Sequence, residues 1–165
     1  MPRGGDITCR TIFANATGST SPGSTDTMRG YEAGVSIDAD PPAIWSVLVD
    51  APGYATWDSG VERVEGRIAP GERLKVYSKA TRRAFPVRVT EYLPGLRMRW
   101  SGGLLMGLFR GERTFELAQE NAGTTHFRVR EEYSGMMLPL VWRRMPDLGP
   151  SFIQFVEGLK RRVEC

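Results

Sequence analysis

The sequence has very few of the residues from which most catalytic and metal centres are built. Its 165 residues include one histidine, His126, and two cysteines, Cys9 and Cys165, which lie near opposite ends. A zinc site needs several His, Cys or carboxylate ligands in a defined spacing, so we expect no metal and no cofactor. The cysteines lack the spacing of a disulfide framework and are expected to be free thiols in a reducing cytoplasm.

The motifs that hold nucleotides, or that carry a nucleophilic serine, are also missing. No GxSxG, Walker-type or dinucleotide glycine motif occurs. Gly102, Gly103 and Gly107 fall between predicted strands, with no helix start for a phosphate. The formal net charge is only +3, and the arginine pairs are scattered rather than gathered into basic blocks. We therefore expect no nucleic-acid partner.

Long apolar runs are absent as well. No stretch reaches the roughly 18 apolar residues that span a bilayer, and the N-terminus lacks a signal-peptide pattern. A hydrophobic content of 41% and a charged content of 25% are typical of a globular domain. The sequence thus predicts a cytoplasmic protein without an integral membrane segment, either a monomer or a homodimer.

The chain divides into a leader and one domain. Residues 1–28 are rich in Gly, Ser, Thr and Pro and cannot bury enough surface to offset their ordering entropy. We expect them to form a flexible leader, of which Ile7, Ile12 and Phe13 could attach a short piece to the domain at 29–165.

The domain begins with a strand and a short helix. Val35 and Ile37 alternate with polar residues, which is typical of a half-buried strand. Asp40 followed by two prolines predicts a capping carboxylate and a helix start, with the helix ending near Val49 and a helical turn following it. Six alternating runs separated by turn residues then predict antiparallel strands: 61–66, 73–78, 85–92, 96–102, 108–117 and 124–134.

The chain closes with an amphipathic helix. One face carries an apolar stripe at helical spacing, made of Leu148, Phe152, Phe155, Val156, Leu159 and Val163. Such a stripe needs a concave surface to bury it, and a curved sheet would supply one.

This order of elements resembles the SRPBCC superfamily, which includes START lipid-transfer domains, pollen-allergen-like proteins and polyketide cyclases. Three segments carry the resemblance: the strand-to-helix phrase at 35–45, the Tyr/Trp turn at 54–57 and the closing helix at 146–160. The match to an uncharacterised bacterial subfamily covers roughly residues 30–164. It implies an α+β helix-grip fold, in which a seven-stranded curved antiparallel sheet and two short helices hold a long C-terminal helix. It also implies a cavity for a hydrophobic ligand, but no shared catalytic residues that could be carried over.

Strand parity predicts which side chains face that cavity. We expect the lining to include large apolar residues of the strands and of the closing helix: Val76, Phe85, Val87, Met98, Trp100, Phe115, Phe127, Val129, Tyr133, Phe152 and Phe155. Met137 belongs to an apolar segment, 135–142, that could form an adaptable entrance. These side chains could equally be plain core. His126 is expected to face solvent with Arg128 and Arg130.

The same parity places Arg113 and Glu131 inside. With the hairpin turn at 121–123, Leu117 would pair with Thr125, and Arg113 would lie opposite Val129, one diagonal step from Glu131. Because a lone buried charge is costly, the two should pair. The pair is either structural or a polar anchor for a ligand, unless a register shifted by one places both outside.

Taken together, the sequence predicts binding or transport of an apolar or aromatic small molecule, lipid- or polyketide-like, in the cavity. A cyclase- or dehydratase-type enzyme that uses Arg113, Glu131 or Tyr133 is the second interpretation. A module that binds a protein partner without any ligand is the third.

Overall fold

Alternating apolar residues build one curved antiparallel sheet. The computed structural model describes residues 13–15 and 29–165. The strands are β1 (Phe13–Asn15), β2 (Arg29–Ile37), β3 (Val61–Glu65), β4 (Arg73–Ser78), β5 (Ala84–Leu93), β6 (Arg97–Leu104), β7 (Phe109–Asn121) and β8 (Thr124–Ser134). Their order is β1-β2-β8-β7-β6-β5-β4-β3, so a meander of six strands closes onto β2. The curled sheet and its C-terminal helix form the predicted helix-grip fold.

The seven predicted strands all occur, and β1 extends the sheet at its edge. β1 pairs with β2 from Phe13 opposite Gly34 to Asn15 opposite Glu32. These three residues belong to the predicted leader, whose remaining residues lie outside the described ones.

The helices are α1 (Pro41–Leu48), α2 (Leu138–Arg144) and α3 (Gly149–Glu164), with 3-10 turns at Pro52–Thr56 and Leu105–Gly107. α1 starts where predicted, but the Asp40 side chain makes no capping hydrogen bond. An N-cap side chain accepts from the N–H of the second or third helical residue, and here Pro42 has none. The N–H of Ala43 donates instead to the Asp40 carbonyl oxygen at 3.1 Å. No helix in the described part of the chain is long and apolar enough to cross a membrane.

The predicted apolar stripe attaches α3 to the inside of the sheet. Phe152, Phe155, Val156 and Leu159 are buried, and α3 packs mainly against β2, with further contacts to α1 and β8. Polar contacts hold its C-terminal end to the same strand. Lys160 Nζ donates to the Ser36 carbonyl oxygen at 2.7 Å.

Arginines cover the convex face of the sheet, as the alternation predicted. Arg97 lies 2.8 Å from Glu91, and Arg128 and Arg130 pair with Glu116 and Glu132. His126 lies on this face, with Nδ1 3.8 Å from a Glu120 carboxylate oxygen. Exposed ion pairs contribute little to stability, so this is the solvated side, and the site must be sought on the concave side.

Candidate functional site

Aromatic rings fill much of the space between the concave face and α3. The Phe155 ring centroid lies 5.3 Å from that of Trp57, 6.0 Å from that of Phe115 and 6.1 Å from that of Phe127. Trp100 packs edge-on against Phe115 at 4.9 Å. We call this group the Phe155 cluster; its members are Tyr54, Trp57, Trp100, Phe115, Phe127 and Phe155.

A second aromatic group surrounds Tyr31. Its ring stacks on Trp142 at 5.6 Å and on Phe152 at 5.7 Å, while Tyr133 stacks on Phe109 at 5.8 Å. We call this the Tyr31 cluster; its members are Tyr31, Phe109, Tyr133, Trp142 and Phe152. Aromatic side chains from both the sheet and the helices therefore form each of the two clusters.

Between the two clusters lies one ion pair. Arg113 Nε donates to Glu131 Oε2 at 2.6 Å, and the Nη2 atom contacts the same oxygen. The guanidinium carbon lies 5.0 Å from the Phe152 ring centroid, while Trp100 is the residue opposite Arg113 in the β6–β7 register. The predicted pairing of the two charges is therefore confirmed.

The predicted register of the last hairpin was wrong by two residues. Leu117 pairs with Phe127 rather than Thr125, and Arg113 pairs with Glu131 rather than Val129. The predicted turn at 121–123 itself places Leu117 opposite Phe127, so the predicted pairing with Thr125 was a counting error. The ladder closes with Asn121 opposite Thr124, after an irregularity between Gln119 and Asn121. A register shift of two residues leaves every side chain on the same face of the sheet. Arg113 and Glu131 therefore still lie on the concave face, as predicted.

The interior holds the Arg113 charge in place and keeps its neighbouring phenols neutral. Burial by itself lowers the pKa of Arg113, but the negative charge of Glu131 and the hydrogen bond to it outweigh that effect, so that the pKa is raised. Burial, followed by the negative charge of Glu131, raises the pKa of Tyr133 well above its usual range. Burial also raises the pKa of Tyr54, whose hydroxyl donates to the Leu48 carbonyl oxygen at 2.8 Å.

The charged pair is more accessible than the rings around it. The Arg113 and Glu131 side chains are 25% and 17% exposed, whereas Trp100 is 3% and Phe115 1% exposed. These two long side chains project from the concave face toward α3. The pair therefore keeps partial access to solvent beside rings that are almost fully buried.

Two buried indole groups lack a partner. Trp57 Nε1 and Trp100 Nε1 are inaccessible and make no hydrogen bond with any described residue. A buried donor without an acceptor costs about 1–3 kcal/mol, so each of these N–H groups is a feature that the chain's own described residues do not explain.

Most of the predicted lining residues come together on the concave side. Those that are buried are Val76, Met98, Trp100, Phe115, Phe127, Val129, Tyr133, Phe152 and Phe155. Val87, Arg113, Glu131 and Met137 are half-buried. Phe85 pairs with Val76 and is half-buried, but it lies outside the packed core of the described residues; it is the second residue of β5, next to the turn that joins β4 and β5.

Sequence reasoning missed several ring residues of the two clusters. Tyr31 alternates with Ala33, Val35 and Ile37, and this parity could have placed it inside. Tyr54 and Trp57 belong to a turn without periodicity, so only the tertiary structure places them. Trp142 lies on α2, a helix that was predicted only as an apolar segment, although Pro139 near its start is a helix-start signal.

Within residues 13–15 and 29–165 no group of three or more His, Cys, Asp or Glu side chains is placed to hold a metal ion. Cys165 is exposed, and Cys9 lies outside the described residues.

Solved structures with the same fold belong to enzymes and to START proteins. The di-domain aromatase/cyclase BexL of the BE-7585A biosynthetic pathway is 16% identical with a TM-score of 0.63, and the match covers 82% of this chain but 46% of that one. A START superfamily protein from Mycobacterium smegmatis is 15% identical with a TM-score of 0.63, and the match covers 82% and 97% of the two chains. Norcoclaurine synthase from Thalictrum flavum, solved with dopamine and hydroxybenzaldehyde, is 12% identical with a TM-score of 0.63, and the match covers 84% and 88%.

At these identities the likeness is one of fold, and no curated protein sequence matches the chain significantly. The sequence profile described as polyketide cyclase / dehydrase and lipid transport matches residues 28–164, which includes every strand from β2 onward and all three helices. The chain therefore belongs to the polyketide cyclase/dehydrase and lipid-transport family.

Proposed function

We propose that this protein binds and carries an apolar or aromatic small molecule between the concave sheet face and α3. The observation that carries the proposal is the Arg113–Glu131 pair on the concave face, which stays partly exposed although the aromatic rings beside it are buried. A wholly packed core would leave no accessible surface on a charged pair beside these rings. A mostly apolar pocket with a few fixed polar groups is the usual form of a small-molecule site.

The aromatic rings and the ion pair would contact different parts of the ligand. Rings of the Phe155 and Tyr31 clusters would contact the body of the ligand, where flat aromatic surfaces contribute most of the buried area. The ion pair would orient a carbonyl or hydroxyl group of the ligand. Family membership and the solved relatives support a ligand of this class, since the relatives include an aromatase/cyclase and a norcoclaurine synthase.

Titration with N-phenyl-1-naphthylamine, an uncharged probe whose emission rises in apolar surroundings, tests the proposal. We expect saturable binding by the wild type and weaker binding by Phe127→Trp, because the larger ring takes up space beside Phe155. Trp45→Phe is the control, since Trp45 packs on Tyr92, outside both clusters. Absence of saturable binding to the wild type, with the interior filled by the protein's own side chains, would favour the module that binds a protein partner.

A cyclase- or dehydratase-type enzyme is the second candidate, because Tyr133, Glu131 and Arg113 adjoin one another in the same space. A neutral phenol, a carboxylate and a guanidinium could hold or move a proton on a bound ligand. Native mass spectrometry of protein purified from its own host would give the mass of a retained ligand. Incubation of that ligand with wild type and with Tyr133→Phe then separates a carrier, which returns it unchanged, from an enzyme.

A further inference from the structure

We infer that one end of the sheet is a membrane-docking surface, where apolar side chains enter the headgroup region of an anionic phospholipid bilayer and arginines bind lipid phosphates. We call this surface the methionine tip; its members are Met106, Leu108, Met136, Leu140, Arg143 and Arg144. The inference goes beyond the proposed function, because it concerns where the protein lies when it exchanges a ligand.

Two neighbouring segments form the apolar part of the methionine tip. The first connects β6 to β7, and there Met106 has a left-handed backbone with φ 56°. The second connects β8 to α2 and lies beside the first, since the Met137 N–H donates to the Leu108 carbonyl oxygen at 2.9 Å. All four apolar members are exposed, and the two methionines are almost entirely so. Single exposed apolar residues are ordinary, but a group of four large ones indicates a contact surface.

Helix α2 joins this apolar group to basic residues. Leu140, Arg143 and Arg144 are exposed, and their spacing of three and four residues places them on one face of the helix. On the opposite face Trp142 stacks on Tyr31 at 5.6 Å. The same helix therefore covers the Tyr31 cluster on its inner side and presents apolar and basic side chains on its outer side.

Charge is distributed unequally between the two ends of the sheet. At the end of the methionine tip, the β4–β5 connection adds further exposed bases, namely Lys79, Arg82 and Arg83. Asp58 and Asp147 near that end are already engaged, by an ion pair and by a backbone N–H respectively. The connections at the opposite end carry one exposed base, Arg67, and the exposed acids Asp38, Asp40 and Glu72. The protein should therefore turn the methionine tip towards an anionic surface.

A bilayer fits the methionine tip better than a protein partner does. The two methionines project from the surface rather than line a groove, and fluid lipid closes around projecting side chains whatever their arrangement. Arginines beside apolar side chains are typical of segments that lie at an anionic membrane surface. Docking would place the lipid next to α2 and the Tyr31 cluster, so that an apolar ligand could enter the proposed site without crossing water.

Cosedimentation with vesicles of equal parts phosphatidylglycerol and phosphatidylcholine tests the inference. We expect the wild type to bind these vesicles, and to bind pure phosphatidylcholine vesicles at least about tenfold more weakly. Added salt should weaken the binding, because it screens the arginines from the lipid charge. Met136→Ser/Leu140→Ser should weaken it about tenfold or more, since two apolar side chains no longer enter the lipid. Leu93→Ser/Leu96→Ser is the matched control, because both leucines are exposed at the opposite end of the sheet.

A second pair of variants tests the charge. Arg143→Gln/Arg144→Gln should weaken binding to the anionic vesicles about tenfold, as expected for two basic residues near the lipid surface. Arg67→Gln/Arg73→Gln removes the same net charge from exposed positions at the opposite end and should leave the affinity nearly unchanged. Equal losses in the two variants would mean that net charge alone attracts the protein, and would overturn the assigned surface.

A fluorescent label reports insertion directly. Nitrobenzoxadiazole attached at Met136→Cys, in a Cys9→Ser/Cys165→Ser background, should shift its emission to the blue on the anionic vesicles. The same label at Leu96→Cys should not. An unshifted label at position 136, or a dimer in ultracentrifugation that Met136→Ser/Leu140→Ser dissociates, would overturn the inference; the dimer would assign the surface to a second copy of the chain.

The inference and the proposed function can fail separately. Binding of N-phenyl-1-naphthylamine is measured without vesicles and should be the same for the wild type and for Met136→Ser/Leu140→Ser. A wild type that binds this probe but no anionic vesicles overturns the inference alone. A wild type that binds the vesicles through the methionine tip but never binds the probe overturns the proposed function alone.

Discussion

Gly158 on α3 lies so close to Asp58 that a β-carbon at position 158 would be 2.1 Å from the Asp58 carbonyl oxygen. The same β-carbon would be 3.3 Å from the Trp57 ring. The helix and the chain just before β3 are therefore in direct backbone contact. This contact fixes the position of α3 beside Trp57 and Phe155, two members of the Phe155 cluster.

Gly158→Ala is expected to destabilise the protein by about 1–3 kcal/mol, as overpacking does. Alanine ordinarily stabilises a helix relative to glycine by up to about 1 kcal/mol, so the expected sign is opposite to helix propensity. Denaturant unfolding measures the change. Gly103→Ala is the control, because a β-carbon there would be at an ordinary 3.5 Å from Phe109. A more stable Gly158→Ala variant would contradict this account of the helix position.

Phe155→Ala is expected to cost about 3–5 kcal/mol in the free energy of unfolding. Its ring is buried and contacts Tyr54, Trp57, Phe115 and Phe127, so removal leaves a cavity in the Phe155 cluster. Leu96→Ala, at a residue that is 61% exposed, should change stability by less than about 0.5 kcal/mol. A loss below about 1 kcal/mol at position 155 would mean that the ring adds little to the core.

Periodic patterns made the sheet, α3 and the inward faces predictable from the sequence. Apolar residues recur about every second position on the buried face of a strand and about every 3.6 positions on the buried face of a helix. The alternation in the strands and the stripe from Leu148 to Val163 therefore indicate which side of each element is buried. The alternation of side chains along β7 and β8 was enough to predict the Arg113–Glu131 pair. An error of two residues in register does not change which face a side chain lies on.

Features without periodicity could not be predicted in the same way. Trp57 reaches the interior through the turn before β3 and the close approach of Gly158, and neither leaves a local pattern. The register error at the last hairpin is of another kind, because a correct count from the predicted turn at 121–123 already pairs Leu117 with Phe127, as observed. Phe85 has the parity of a lining residue, yet it lies next to the β4–β5 turn and outside the packed core of the described residues.

Tyr54 and Tyr133 should stay protonated to higher pH than an ordinary tyrosine, whose pKa is about 10. Burial raises the pKa of both phenols in the folded protein. A raised folded-state pKa gives stability that is fully present below the unfolded value and is lost as pH rises above it. Stability should therefore fall above about pH 10.

Tyrosinate absorbance against pH measures this ionisation, with unfolding followed by circular dichroism in parallel. Tyr54→Phe and Tyr133→Phe should each remove part of the alkaline loss. Tyr77→Phe is the control, because the half-buried Tyr77 ring lies outside both clusters, with the Arg63 guanidinium over it. Full ionisation of all five tyrosines before any unfolding would contradict the assigned burial.

The Arg113–Glu131 pair is expected to contribute both to stability and to ligand binding, and substitutions can measure the two contributions separately. Glu131→Gln leaves the Arg113 guanidinium without its counter-charge and should cost about 1–3 kcal/mol, below the range for a fully buried pair because both side chains keep some exposure. The double variant Arg113→Met/Glu131→Met should recover most of that loss, since it removes both charges together. Denaturant unfolding of Arg113→Met, Glu131→Met and the double variant closes the cycle.

Ligand-binding measurements on the same variants test whether the ion pair also contacts the ligand. With Glu131 neutralised, the charge of Arg113 becomes available to an anion, so Glu131→Gln should bind fluorene-9-carboxylate several-fold more tightly than the wild type does. Fluorene itself should bind equally well to both proteins, because it needs no polar anchor. Glu132→Gln is the matched control, since Glu132 pairs with Arg130 on the convex face and should change neither affinity. If Glu131→Gln loses stability but gains no carboxylate affinity, Arg113 and Glu131 form a structural pair only, and the ligand is oriented by other groups.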